Sequence, residues 1–155
     1  SYPALSLLFL SYTALSGITL SSLLFVFEMS SIIGVLFITC GIFALLSLYG
    51  MYTKQDLGPV GSFLLIALFG MFIASLINLF FKSAGFDYVL SLMGVFIFAL
   101  WTAYDTQNMK NVLAEYANDN VAMQKLSIIG AFTFYLNFIN LFINLLKVLG
   151  KKKDH

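Results

Sequence analysis

The sequence predicts an all-α integral membrane protein, because its composition is too apolar for a soluble domain and its apolar residues occur in long runs. Of its 155 residues, 61% are hydrophobic and only 10% are charged, and the mean hydropathy is +0.96. Soluble globular domains are about 45–50% apolar and about 25% charged. The apolar runs are too long for barrel strands and do not alternate with a period of two, so we expect a polytopic helical bundle.

Five apolar segments are long enough to cross a bilayer, which requires about 20 residues of helix. We expect a single membrane domain over residues 1–155, with a polar connection at 105–125 and a basic tail at 150–155. The connection has helical propensity, and we expect it to extend the fourth helix beyond the membrane. The five segments lie at about 3–27, 31–52, 60–81, 86–104 and 127–149.

The path of the last segment has two alternatives. If every segment spans, one side of the membrane holds three lysines (Lys54, Lys110, Lys125) and the other holds five (Lys82, Lys147, Lys151–Lys153). If the last segment re-enters and leaves where it began, the split becomes seven to one, which the positive-inside tendency favours. The segment is nevertheless long enough to span, and neither Gly nor Pro interrupts it between Ala131 and Leu149. We expect a span, and both alternatives stay open at this point.

Polar side chains recur on one face of this last segment. At 100° per residue, Thr133, Asn137, Asn140 and Asn144 fall on a single stripe. Hydrocarbon offers an amide no hydrogen-bond partner, so the stripe must face the bundle interior or a wet cavity. Two roles remain open for it: hydrogen bonds between helices, worth about 0.6–2 kcal/mol each, or contact with water or an ion.

Asp105 stands where the fourth segment leaves the hydrocarbon. An acid embedded in a membrane is costly unless it is solvated or paired, and it is therefore a functional candidate. The simpler alternative is an ordinary interfacial acid at the end of a span. Asn78 is another intramembrane polar residue, and helix packing is its expected role.

The sequence carries no signature of an enzyme or of a nucleic-acid surface. The net charge is only +1, and there is no histidine pair for zinc, no nucleophile with a base and no glycine-rich phosphate loop. Tight calcium sites use six to eight oxygens and several carboxylates, so we predict no firm metal site and at most a weak calcium contact at Asp105. One acid and a row of amides favour ion passage or sensing over chemistry.

Five sequence blocks follow one another along the chain: YTALSGITLSS (12–22), SLYGMYTKQDL (47–57), IASLINLFF (73–81), TAYDTQNMK (102–110) and FYLNFINLFINLL (134–146). In order and separation they resemble the bacterial branch of the transmembrane Bax-inhibitor-motif family, the Bax inhibitor-1 relatives. The resemblance implies a seven-helix fold with the last helix central, of which this chain would hold five helices and lack the first two. It also implies the bacterial inner (cell) membrane as the location.

The resemblance further implies a pH-sensitive calcium leak. A buried acid near glycine-rich helices is equally typical of a proton path, so protons stay an alternative to calcium, and we expect no cofactor. The family's aspartate at Asp105 pairs with a second aspartate, at whose position this chain has Asn137. Two carboxylates share one proton, whereas an amide donates to ionised Asp105 and favours its charged form. We therefore expect a weakened or acid-shifted pH response. The alternative is a non-transporting membrane protein that modulates a partner, such as a membrane-bound ATP-dependent protease or a cell-death factor.

Overall fold

The computed structural model describes residues 2–152 and confirms the predicted all-α membrane architecture. Counting α1 and α2 as one, five helical stretches of the described chain are long and apolar enough to cross a membrane. Large apolar side chains cover the outside of the bundle, such as Phe80 with 87% of its surface exposed, which suits lipid rather than water. The helices are α1 (Tyr2–Leu20), α2 (Leu23–Val26), α3 (Met29–Tyr52), α4 (Gly58–Phe81), α5 (Ala84–Glu115) and α6 (Asn120–Leu149).

Local sequence signals explain where the later helices begin and end. Pro59 lies in the first turn of α4, where its missing N–H costs nothing. Lys82 ends α4 in the left-handed conformation, with φ of 50°. The Ser83 hydroxyl accepts a hydrogen bond from Phe86 N at 3.1 Å and so caps α5, and Asp119 caps α6 through its side chain. The turns between the spans are short, so consecutive spans run antiparallel.

Two segments differ from their predicted bounds. The segment expected at 3–27 is divided between α1 and α2, because Ser21 and Ser22 donate their hydroxyl hydrogens to Ile18 O and Thr19 O where the helix breaks. The polar connection expected at 105–125 is mostly helical: α5 continues to Glu115, and only residues 116–119 form the turn to α6. The fourth helix is extended past its apolar part, as its helical propensity predicts.

The end of α6 meets the beginning of α3. Glu28 N donates to Lys151 O at 2.9 Å, and Lys151 N donates to Ser31 Oγ at 2.8 Å. We call residues 150–152 the C-terminal strap. Because α3 starts at this end of the bundle and α6 starts at the other, α6 runs the whole length of the bundle. The re-entrant alternative therefore does not describe this structure. Residues 153–155 of the predicted basic tail lie outside the described residues.

Two helices share the centre of the described bundle. Helix α5 packs against α3, α4 and α6, whereas α6, the last helix, packs against α1, α3 and α5. Leu141, Leu145 and Leu146 of α6 form the main apolar cluster with Phe27 and Val35. The first helix, α1, has no buried residue and packs chiefly against α6.

Candidate functional site

The candidate site is a polar contact between the two central helices. Asn137 Nδ2 on α6 donates to Asp105 Oδ2 on α5 at 2.7 Å. Asn137 is 7% exposed and Asp105 is half-buried. A polar group removed from water is tolerated when it is hydrogen-bonded, and a bond to an ionised oxygen is about twice as strong as a neutral one. The structure thus brings together two of the predicted site residues.

Three neighbouring helices hold the backbone of α5 at this level. The carbonyl of Ala103 lies against Gly50 of α3, and the ring of Tyr104 lies against Gly61 of α4. A methyl group on either glycine would overlap the atoms it faces. Together with the Asp105 bond to α6, the consecutive residues 103–105 contact three different helices. The position of Asp105 is therefore fixed by close packing around it.

The remaining asparagines of the stripe do not reach Asp105. Asn140 Nδ2 donates to Leu136 O at 2.8 Å, and Asn144 Nδ2 donates to Asn140 O at 2.7 Å. The Asn144 side chain packs over Gly94 of α5, whereas Asn140 lines a groove of about 420 Å³ between α1 and α6. Thr133 is partly buried and does not take part in the bond between Asn137 and Asp105. The stripe shares one side of α6, but its members meet different neighbours.

Asn78 belongs to a different part of the molecule. Its Oδ1 accepts from Ser83 N at 3.1 Å, so the side chain stabilises the turn between α4 and α5. This turn lies at the start of α5, about 30 Å along the helix from Asp105 at 1.5 Å per residue. The structure therefore does not bring Asn78 to the candidate site.

Sequence reasoning missed two buried threonines beside Asp105. Thr102 is fully buried and Thr106 nearly so. Their hydroxyls donate to Phe98 O at 2.8 Å and to Thr102 O at 2.7 Å. Their spacing of four, which places both threonines on one face of α5, was the available signal.

The loop between α3 and α4 is anchored to α5 just beyond Asp105. Gln107 Oε1 accepts from Leu57 N at 2.9 Å, and Gln107 Nε2 donates to Gln55 O at 2.7 Å. Lys110 Nζ donates to Met51 O in the last turn of α3 at 2.6 Å. These bonds satisfy backbone groups that helix ends leave without partners. The loop therefore lies close to the level of Asp105.

Among residues 2–152, no group of three or more His, Cys, Asp or Glu could hold a metal ion. The site consists of one acid, one amide that donates to it, and neighbouring side chains whose hydrogens bond to their own helices. Such a site can exchange a proton, or give a cation a weak oxygen contact, at the interface of two helices. The class defined by fold and site is a polytopic α-helical membrane protein with an acid inside its bundle.

The family follows from comparison with known proteins. Residues 1–154 match the model of the family described as inhibitor of apoptosis-promoting Bax1. The chain belongs to this Bax inhibitor-1 family.

Its bacterial relatives include inner membrane protein YbhL of Escherichia coli K12, which is 42% identical over 149 residues, covering 96% of this chain and 64% of that protein. A Borreliella burgdorferi protein is 41% identical over 147 residues, covering 95% of this chain and 63% of the relative. A Rickettsia prowazekii protein is 44% identical over 148 residues, with 96% and 62% covered. The chain thus spans a little under two thirds of the length of these relatives. With its five apolar spans, it is an integral protein of the bacterial inner membrane.

Proposed function

We propose that the protein is a pH-sensitive leak for calcium, gated by protonation of Asp105 against the polar stripe of α6. The observation that carries this proposal is the hydrogen bond from Asn137 to the half-buried carboxylate of Asp105. An ionisable group inside a helical bundle, paired across two central helices, is typical of an ion or proton pathway. The resemblance of the sequence blocks to the Bax inhibitor-1 relatives implies the same activity.

The chemistry of the interior side chains favours a cation as the permeant species. The Thr102 and Thr106 hydroxyls donate their single hydrogens to carbonyls of α5, and Asn140 and Asn144 each donate one amide hydrogen to a carbonyl of α6. Their side-chain oxygens can contact a passing ion, and oxygens are the ligands that calcium prefers. Amide and hydroxyl oxygens bind weakly, which suits a pathway because the ion must also leave.

Protonation would act on the contact between α5 and α6. Ionised Asp105 accepts a charge-assisted bond from Asn137, and loss of the charge weakens that bond. Gly50 of α3, Gly61 of α4 and Asn137 of α6 contact residues 103–105 of α5, and none of the three carries a charge. Asp105 is therefore the group whose charge we expect to set the pH response, and a lower pH would loosen the two central helices.

The proposal is tested by calcium flux into proteoliposomes across about pH 6 to 8. We expect Asp105→Asn to abolish the pH dependence and Asn137→Asp to make it steeper, because the second variant creates two carboxylates that share one proton. Asn111→Asp adds the same charge at an exposed position of α5 and should behave as the unmodified protein. Flux that is absent, or identical in all four proteins, would refute the leak.

A second candidate is a non-transporting protein that modulates a membrane partner, such as an ATP-dependent protease or a cell-death factor. The hairpin of α5 and α6 favours it, because α5 continues about 12 Å past the level of Gln107, where the α3–α4 loop is anchored. Tyr116 and Val121 are 44% and 61% exposed on this extension. In this case flux would be insensitive to Asp105→Asn, while changes at Tyr116 would alter partner binding.

A further inference from the structure

The C-terminal strap is fastened to the start of α3 by main-chain atoms of its lysines. The carbonyl and N–H of Lys151 bond to Glu28 N and Ser31 Oγ, and Lys152 forms an antiparallel bridge with Phe27. Gly150 makes this path possible, because a Cβ there would overlap the Leu146 carbonyl. The strap therefore keeps its position without using the lysine ammonium groups.

Those ammonium groups remain available for another anion. The Lys151 side chain is 71% exposed and the Glu28 side chain is 37% exposed. The distance between Lys151 Nζ and Glu28 Oε1 is 4.0 Å. An exposed pair at this distance contributes little to stability. Lys152 and Lys147 are also exposed, the latter in the last turn of α6. With Lys82 and Asp87 at the turn between α4 and α5, the described residues at this end of the bundle include four lysines and two acids.

The place of these lysines in the bundle indicates what they meet. Helix α6 ends at Leu149 and α3 begins at Met29, so the strap lies where two membrane-spanning helices leave the apolar layer. Lipid headgroups occupy this level, and basic residues beside a membrane span attract anionic ones.

The opposite end of the bundle is electrically balanced. There three lysines stand with three acids, and the ammonium of Lys110 is already bonded to Met51 O. The lysines are Lys54, Lys110 and Lys125, and the acids are Asp56, Glu115 and Asp119.

We propose that the C-terminal strap is a binding site for an anionic phospholipid headgroup, with Lys151, Lys152 and Lys147 holding its phosphate. The site does not depend on the proposed leak. Since main-chain atoms position the strap, its lysines can be neutralised without removing the bonds that hold it.

Native mass spectrometry of the purified protein with dioleoyl phosphatidylglycerol or phosphatidylcholine tests this site. The variant Lys151→Gln/Lys152→Gln should bind phosphatidylglycerol tenfold to thirtyfold more weakly, which corresponds to about 1 kcal/mol for each lysine. The matched control, Lys54→Gln/Lys125→Gln, loses the same charge at the other end and should change the affinity less than about twofold. Binding of phosphatidylcholine should be the same in all three proteins.

Glu28→Gln separates lipid binding from a purely internal ion pair. Removing this acid should strengthen phosphatidylglycerol binding, because the headgroup no longer competes with a carboxylate for Lys151. Unchanged lipid binding in Glu28→Gln, or an equal loss in the strap variant and its control, would overturn the proposal. Displacement of the lipid by equimolar inorganic phosphate would also overturn it, since the site would then accept a soluble anion.

Discussion

Removing the Asp105–Asn137 contact from each side in turn measures how strongly it joins the central helices. We consider Asp105→Ala, Asn137→Ala and the double variant. Each single variant leaves one polar group of the pair without its partner, whereas the double variant removes both groups. The donor–acceptor distance is 2.7 Å, and hydrogen bonds to charged groups contribute about 1.5–3 kcal/mol. We therefore expect a coupling free energy of about 1.5 kcal/mol or more.

The size of the coupling also reports the charge of Asp105. Neutral hydrogen bonds between membrane helices average about 0.6 kcal/mol, well below the value expected for an ionised acceptor. Reversible unfolding in mixed micelles gives the four free energies of unfolding, and Asn111→Ala provides an exposed control with no expected coupling. We expect the coupling to fall towards about 0.6 kcal/mol as the pH is lowered. A coupling free energy of that smaller size at every pH would refute a charge-assisted hydrogen bond between α5 and α6. The contact would then contribute only to helix packing.

Two further predictions concern the residues that hold α5 in place. Gly50→Ala should lower the free energy of unfolding by about 1–3 kcal/mol, because the new methyl group overlaps the backbone of α5. The control is Gly41→Ala, because nothing lies within 4 Å of that position. Equal effects of the two variants on the free energy of unfolding would contradict the reasoning. Gln107→Ala should cost about 1–2 kcal/mol through its two lost bonds. In Gln107→Ala, amide hydrogen exchange should accelerate at residues 53–57 and not elsewhere. The control Gln124→Ala, on the exposed face of α6, should leave the exchange of these residues unchanged.

The spans could be predicted from the sequence because hydrocarbon acts on each helix separately. A long apolar run must become a helix in the bilayer whatever its neighbours are, so composition and run length were sufficient. The side of α6 that carries Asn137 was also predictable, since helical periodicity depends on that helix alone. Asn137 does meet Asp105 in the structure, while the role of the pair in ion passage stays a prediction.

The contacts of the other stripe residues and of the glycines depend on how the helices are rotated against one another. Helical periodicity does not specify this rotation. Asn140 and Asn144 share the stripe with Asn137, yet each donates to a carbonyl of its own helix. A short amide can reach the preceding turn, so its position on a face does not tell whether it bonds across or within the helix. In the same way, the sequence does not specify that Gly50 and Gly61 have residues 103 and 104 as their neighbours.

The isolation of α1 has a consequence for how the protein is assembled. Among the described helices, α1 is made before α3, α4 and α5, but its main contacts are with α6, which is made after them. The rings of Phe9 and Tyr12 pack on Phe132 with centroid distances of 5.8 and 5.0 Å, and these contacts form only after the ribosome has passed residue 132. During synthesis α1 is therefore without its contacts to α6 while α3, α4 and α5 are inserted. Docking of α1 on α6 joins residues that lie far apart in the sequence, as in the contact of Phe9 with Phe132, so this part of the bundle forms late.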